Sequence, residues 1–172
     1  MSTKAIDFVT KYYPYAKDSQ DKTGVSAIAI LAQAALESGW GKSAPGYMFF
    51  GVKDHTGDDS KRQLLTTTEF HKTSSVKYPV IISITPNGNN GFKYKVKDWF
   101  RKYATPEECF TDHAKFLRDN PRYLHALAVR HDPIEFLKEL AKAGYATDPN
   151  YAESITIIAK QITGILKDAG TI

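Results

Sequence analysis

The spacing of hydrophobic residues changes twice along this chain and predicts a helical start, a β-rich middle and a helical end. Apolar residues recur at helical spacing over residues 3 to 17, where Pro14 is expected to break or kink the helix. From Ser26 to Glu37 they cover nearly every face, which predicts a buried central helix. Between about residues 54 and 100, strand and turn patterns replace the helical one.

Within the β-rich middle, two segments predict a hairpin. Val76 to Thr85 and Phe92 to Trp99 flank the Asn- and Gly-rich residues 87 to 91. The second segment alternates apolar residues with lysines at 93, 95 and 97, so the lysines share one face. We interpret that face as solvated and as a device against edge pairing, in preference to a ligand contact.

Three later helix starts have clear capping chemistry. Thr105-Pro106, Asp132-Pro133 and Asp148-Pro149 each place a capping side chain before proline, and the last helix is expected to run to about Lys167. No linker or repeat divides the chain. We therefore expect one α+β, mainly α domain over residues 1–172, with a small β-lobe at about residues 54–100 inserted after the central helix.

Charge and composition narrow the function classes. The net charge is +4 and the pI is near 9.0, but no run of like charges indicates a nucleic-acid surface. No apolar run reaches the roughly 18 residues of a membrane span, and the N-terminus does not have the pattern of a secretory signal. The single cysteine, Cys109, excludes an intramolecular disulfide and is expected to be buried.

Glu37 is the strongest candidate for catalysis. It is the one acidic residue in an Ala- and Leu-rich helix that stops at Gly39 beside Trp40. The negative helix end and apolar surroundings would both raise the pKa of its carboxyl. A carboxylic acid that stays protonated near neutral pH is what glycoside cleavage needs. The alternative is a helix-end glutamate that merely faces water.

A common glycosidase also needs a second carboxylate. Glu69 is the best candidate because it is alone in an uncharged, strand-like run, whereas Asp54, Asp58 and Asp59 lie in a polar loop. A solvent-facing strand glutamate is the alternative. Aromatic residues that could stack on sugar rings follow Glu37 or flank Asp148; they are Trp40, Phe50, Tyr145 and Tyr151. Histidine spacing, glycine loops and serine motifs give no support to a metal, cofactor or acyl-transfer site.

Four stretches in order carry a family resemblance: residues 32–41, 49–53, 100–103 and 143–151. Together they resemble the bacterial cell-wall glucosaminidase family (glycoside hydrolase family 73), which includes autolysins and the flagellar-rod hydrolase domain. The resemblance implies a lysozyme-like fold and hydrolysis of peptidoglycan at N-acetylglucosamine. It also implies Glu37 as catalytic acid, Glu69 as second carboxylate and Tyr145 in the site. Met48 departs from the family's usual asparagine.

Several readings stay open at this level. A muramidase or lytic transglycosylase of similar fold, or a non-catalytic peptidoglycan-binding module, would share these features. The expected partner is the peptidoglycan glycan strand, reached in the periplasm or outside the cell by phage lysis or a secretion system. An immunity protein or phage lysis proteins would be further partners, and the chain is expected to be a monomer.

Overall fold

The computed structural model describes residues 2–172, which form two compact units. The helical unit comprises the chain up to Phe50 together with Ala104–Ile172, and the β unit comprises Gly51–Tyr103. The mainly helical fold with one small sheet confirms the expected fold class.

The described part of the helical unit has six α-helices, and the second of them is the central one. The helices are α1 (Thr3–Thr23), α2 (Ala27–Ser38), α3 (Pro106–Asp119), α4 (Leu124–Ala128), α5 (Pro133–Lys142) and α6 (Tyr151–Asp168). Helix α2 contacts α1, α3, α5 and α6, and all its residues from Ala29 to Ala35 are buried. The prediction of a buried central helix is confirmed. Within residues 2–172 no helix is long and apolar enough to cross a membrane.

The expected break at Pro14 is wrong, while a kink there stays a prediction. Helix α1 runs through Pro14 and ends only at Gly24, whose φ of 75° closes the helix in the left-handed region. Proline removes one backbone donor, but α1 buries Phe8, Tyr12 and Ala16 on one face. Burial of that apolar face outweighs the lost hydrogen bond, because tertiary packing supplies most of the stability of a helix in a protein.

The predicted caps form at two of three helices. Thr105 Oγ1 accepts a hydrogen bond from the Glu108 amide at 3.2 Å, and Asp132 Oδ1 accepts from the Glu135 amide at 3.0 Å. Asp148 lies two residues before the N-cap residue Asn150: its Oδ1 accepts from the Asn150 amide at 2.8 Å, and α6 begins at Tyr151. The short helix α4 carries no such start signal and was not predicted.

The β unit holds a three-stranded antiparallel sheet. Its strands are β1 (Arg62–His71), β2 (Val80–Pro86) and β3 (Phe92–Arg101), in the order β1-β3-β2. The predicted hairpin is confirmed as β2 and β3, with its first strand starting four residues later than expected. Strand β3 is central, and Glu69 of β1 lies opposite Tyr94.

Candidate active site

A strained turn fixes the end of α2 directly after Glu37. Gly39, Trp40 and Gly41 adopt left-handed conformations in succession, with φ values of 60°, 60° and 79°. Such a conformation is costly for a tryptophan and is found most often where a functional site requires it. The Ser38 hydroxyl donates to the Ala34 carbonyl at 2.6 Å and accepts from the Gly41 amide at 2.8 Å. The helix therefore stops within two residues of the candidate acid.

The surroundings of Glu37 favour its protonated form. Glu37 is exposed, yet protein atoms around the carboxyl displace part of its water and raise its pKa above the ordinary value. Burial likewise raises the pKa of the Tyr145 and Tyr151 hydroxyls, and the charge of Glu37 adds to both shifts. Glu37 thus interacts electrostatically with two phenols that stay neutral.

A buried amide connects this region to α3. Gln33, one helical turn before Glu37, is 1% exposed. Its Nε2 donates to Tyr151 Oη at 3.1 Å, and its Oε1 lies 3.0 Å from His113 Nε2. Burial lowers the pKa of His113 to about 3, so the imidazole is neutral. Because an amide oxygen only accepts, Nε2 must carry the imidazole proton.

The direction of these hydrogen bonds sets what Tyr151 can do. Its oxygen accepts from Gln33, so its own hydrogen is available to donate to another group. The chain of bonds from His113 through Gln33 therefore presents the Tyr151 hydroxyl as a donor near Glu37. A hydroxyl donor of this kind can donate a hydrogen bond to a sugar oxygen or to a carboxylate.

Three of the four predicted sugar-contact residues lie in one aromatic cluster. The Phe50 ring stacks on His113 with centroids 3.8 Å apart, and Tyr145 lies 5.5 Å from Tyr151 and 6.1 Å from His113. Trp40 is placed differently: it packs edge-on against Phe8 of α1 with centroids 5.7 Å apart and stays half-buried. Its indole supports the strained turn.

Glu69, the predicted second carboxylate, belongs to a charged group in the β unit. Lys53 Nζ lies 2.7 Å from Glu69 Oε1 and 3.2 Å from Asp98 Oδ2. Desolvation alone would lower the pKa of Lys53, but its hydrogen bonds to both carboxylates outweigh that effect and raise it. Glu69 is therefore a carboxylate held by a shared ammonium group.

The remaining candidate acids are used in local turns. Asp54 accepts hydrogen bonds from Thr56 and Gly57, Asp58 accepts from Ser60, and Asp59 pairs with Arg62. No group of three or more metal-ligating side chains occurs among the residues that the structure describes.

The cysteine is buried as expected. Cys109 is 1% exposed, and burial raises its pKa to about 12. A thiol with that pKa supplies almost no thiolate near neutral pH, so Cys109 is not a nucleophile.

Sequence reasoning missed Gln33, His113, Lys53 and Asp98. One signal could have found Gln33, since it is the single amide in an otherwise apolar helix and must be satisfied internally once that helix is buried. His113 lies on the apolar face of α3 with Cys109. Lys53 and Asp98 gave no comparable signal, because their contact depends on an isolated bridge that pairs Lys53 with Phe100 of β3.

Known proteins share this fold. A family model described as mannosyl-glycoprotein endo-beta-N-acetylglucosaminidase matches residues 13–164. The glycoside hydrolase domain of Salmonella typhimurium FlgJ superposes with a TM-score of 0.74 at 30% identity, covering 99% of this chain and 94% of that one.

Two relatives extend the comparison. The peptidoglycan hydrolase FlgJ of Pseudomonas aeruginosa is 34% identical over 169 residues, which are 94% of this chain and 38% of the relative. A probable N-acetylmuramidase of Lactococcus lactis is 29% identical over 93% of this chain and 34% of the relative. The chain thus spans less than half the length of these relatives. The matched motifs, the fold and the family model together show that this chain belongs to the glucosaminidase family of glycoside hydrolases.

Proposed function

We propose that this chain hydrolyses the glycan strand of peptidoglycan at N-acetylglucosamine, with Glu37 as the general acid. One observation carries the proposal: a carboxyl with a raised pKa lies at the end of a buried helix, in a chain of the glucosaminidase family. Phe50 and Tyr145 are half-buried and offer aromatic surface to a sugar, whereas the buried Tyr151 is proposed to act through its hydroxyl. Trp40 stays a predicted sugar contact.

Mass spectrometry of a peptidoglycan digest tests this function. Cleavage at N-acetylglucosamine leaves that sugar at the new reducing ends, whereas a muramidase leaves N-acetylmuramic acid and a transglycosylase leaves an anhydro sugar. Borohydride reduction before analysis labels the reducing sugar and separates these products. Reducing-end muramic acid would reassign the bond, and the Lactococcus relative makes that the second candidate. Binding without soluble fragments would indicate a non-catalytic module.

The pH dependence of the rate follows from Glu37. A general acid works only while protonated, and the raised pKa of Glu37 keeps it protonated to a higher pH than an ordinary glutamate. We therefore expect kcat/KM to fall on the alkaline side with a midpoint above 4.5, the ordinary value. Initial rates on soluble glycan measure this midpoint, and circular dichroism across the same pH range excludes unfolding. A midpoint at or below 4.5 would contradict the assignment.

Glu69 is proposed as a charge-stabilising carboxylate. Its contact with Lys53 at 2.7 Å fixes the position of the carboxylate, and a positioned carboxylate is suited to stabilising a positively charged sugar transition state. Under this proposal the substrate's acetamido group serves as nucleophile, and Glu69→Gln is expected to lower kcat about tenfold. Asp98→Asn is the matched control, because it removes the other carboxylate of Lys53 and should change kcat little. A loss of about a thousandfold in Glu69→Gln would instead make Glu69 the water-activating base.

Action at the cell wall, in the periplasm or outside the cell, follows from the proposed substrate. We propose that the chain acts as a monomer, with an immunity protein or phage lysis proteins as partners according to its route of delivery. Directing the chain to the periplasm tests this: lysis of the host, relieved by co-expression of an inhibitor gene adjacent to its own, would identify the immunity case.

A further inference from the structure

Three exposed lysines form a row on the central strand of the sheet. Lys93, Lys95 and Lys97 of β3 point to one face, which we call the lysine face, while Tyr94 and Val96 between them are fully buried on the other. Side chains two residues apart on a strand are separated by about 7 Å. The row is therefore a regular array of three positive charges.

The neighbours of the row on the paired strands are four hydroxyl-bearing residues and two exposed apolar ones, Phe70 opposite Lys93 and Val80 opposite Lys97. Residues directly opposite in antiparallel strands share a face. Thr66 lies opposite Lys97, Thr68 and Ser83 lie on either side of Lys95, and Thr85 lies opposite Lys93. Each ammonium group therefore has at least one hydroxyl beside it.

No carboxylate balances this charge. Glu69 and Asp98, the acids of the paired strands, lie on the opposite face with Lys53. In the part of the chain that the structure describes, none of the three lysines has an ion pair. Like charges at this spacing repel one another, so the row costs some stability in the unbound protein.

Protection of a sheet edge does not explain the row. Charged residues discourage edge-to-edge pairing when they lie on an edge strand, but β3 is paired with β1 on one side and β2 on the other. The sequence-based interpretation as an edge device is therefore wrong. A row of unbalanced charges at the centre of a sheet face, each beside a hydroxyl, has the chemistry of an anion-binding surface.

We propose that the lysine face binds the carboxylates of peptidoglycan peptide stems, on a glycan strand other than the one being cleaved. The proposal rests on the proposed function, which makes peptidoglycan the polymer that the chain meets. Peptide stems repeat along each glycan strand and carry carboxylates, whose oxygens accept from both ammonium and hydroxyl groups. Because Glu69 lies on the opposite face of the sheet, the lysine face would hold a neighbouring strand.

The test compares two triple variants with the same net charge. Lys93→Gln, Lys95→Gln and Lys97→Gln together remove the row, while Lys4→Gln, Lys160→Gln and Lys167→Gln remove three exposed lysines of the helical unit. Co-sedimentation with insoluble peptidoglycan at 4 °C measures the binding constant. We expect the first variant to bind about tenfold more weakly than the wild type, from three exposed charge contacts, and the second to bind nearly as well. Equal loss in both would overturn the proposal.

Amidation of the stem carboxylates tests whether these groups are what the lysine face binds. Peptidoglycan whose stem carboxylates have been amidated should bind wild type and row variant equally, and retention of the difference would overturn the proposal. Tighter row-dependent binding to a polyphosphate or to single-stranded DNA than to peptidoglycan would overturn it as well.

Cleavage of short peptide-free glycans should be the same in both triple variants and the wild type. Because sedimentation requires no cleavage, its outcome is readable even if the proposed hydrolysis fails.

Discussion

Replacing Glu37 by glutamine is expected to lower the rate of peptidoglycan hydrolysis about a thousandfold or more. Glutamine keeps the shape and hydrogen-bonding capacity of the side chain but cannot release a proton to the leaving sugar oxygen, and general acid catalysis contributes roughly a hundred- to ten-thousandfold. The release of soluble reducing sugars measures the loss. Near-complete activity in Glu37→Gln would remove Glu37 from the mechanism.

Stability measurements provide the control for this variant. A carboxyl whose pKa is raised on folding stabilises the fold at low pH, and that contribution is lost as pH rises through the folded-state value. At a pH above the folded-state pKa of Glu37, Glu37→Gln removes an ionised group from a partly desolvated position, so the free energy of unfolding there should equal or exceed that of the wild type. An inactive variant with an undiminished free energy of unfolding would show that chemistry, and not folding, was lost. A clear decrease in the free energy of unfolding would show that the loss of activity reflects a damaged fold.

Gln33→Leu is expected to lower both stability and activity. It leaves the His113 imidazole and the Tyr151 hydroxyl without their partner in a buried place, at a cost of about 3 kcal/mol in the free energy of unfolding. Activity should fall about tenfold at a temperature where the variant is still folded, because the Tyr151 hydroxyl loses the bond that orients it. Urea unfolding and initial rates measure the two effects.

A double variant separates the structural effect from the functional one. Replacing His113 by phenylalanine in the Gln33→Leu background removes one of the two orphaned groups, so the pair should be less destabilised than the sum of the single changes. The activity should not recover, since the Tyr151 hydroxyl stays unanchored. Full recovery of activity with stability would contradict a positioning role for Gln33. Strict additivity of the two free energies would contradict the hydrogen-bonded chain.

Local sequence signals predicted the helices whose ends are marked by a capping side chain or a glycine. Thr105 and Asp132 cap their helices as expected, and Gly39 ends α2. Glu37 was found because one acid in an apolar helix is conspicuous. Pro14 misled because its local cost is smaller than the gain from burying one face of α1, a quantity that depends on α2 and α3 and is not written in the local sequence.

Local sequence patterns could not predict the hydrogen bonds and ion pairs that join the site residues. Gln33 and His113 are 80 residues apart, and Gln33 and Tyr151 are 118 apart, so no local pattern joins them. The position of Lys53 between Glu69 and Asp98 depends likewise on an isolated bridge to Phe100. The lysine row was visible in the sequence, but only the strand order showed that it lies at the centre of the sheet.

The contact of Trp40 with α1 bears on where the functional unit begins. The family match starts at residue 13, yet Phe8 packs against the Trp40 indole and lies 3.1 Å from the place where a Cβ on Gly41 would be. The first two turns of α1 therefore brace the strained turn that follows Glu37. A chain shortened to residues 13–164 would keep all four stretches of the family resemblance. It would lose Phe8, the side chain against which the Trp40 indole packs. The packing around the turn after Glu37 therefore extends ahead of the region that the family model matches.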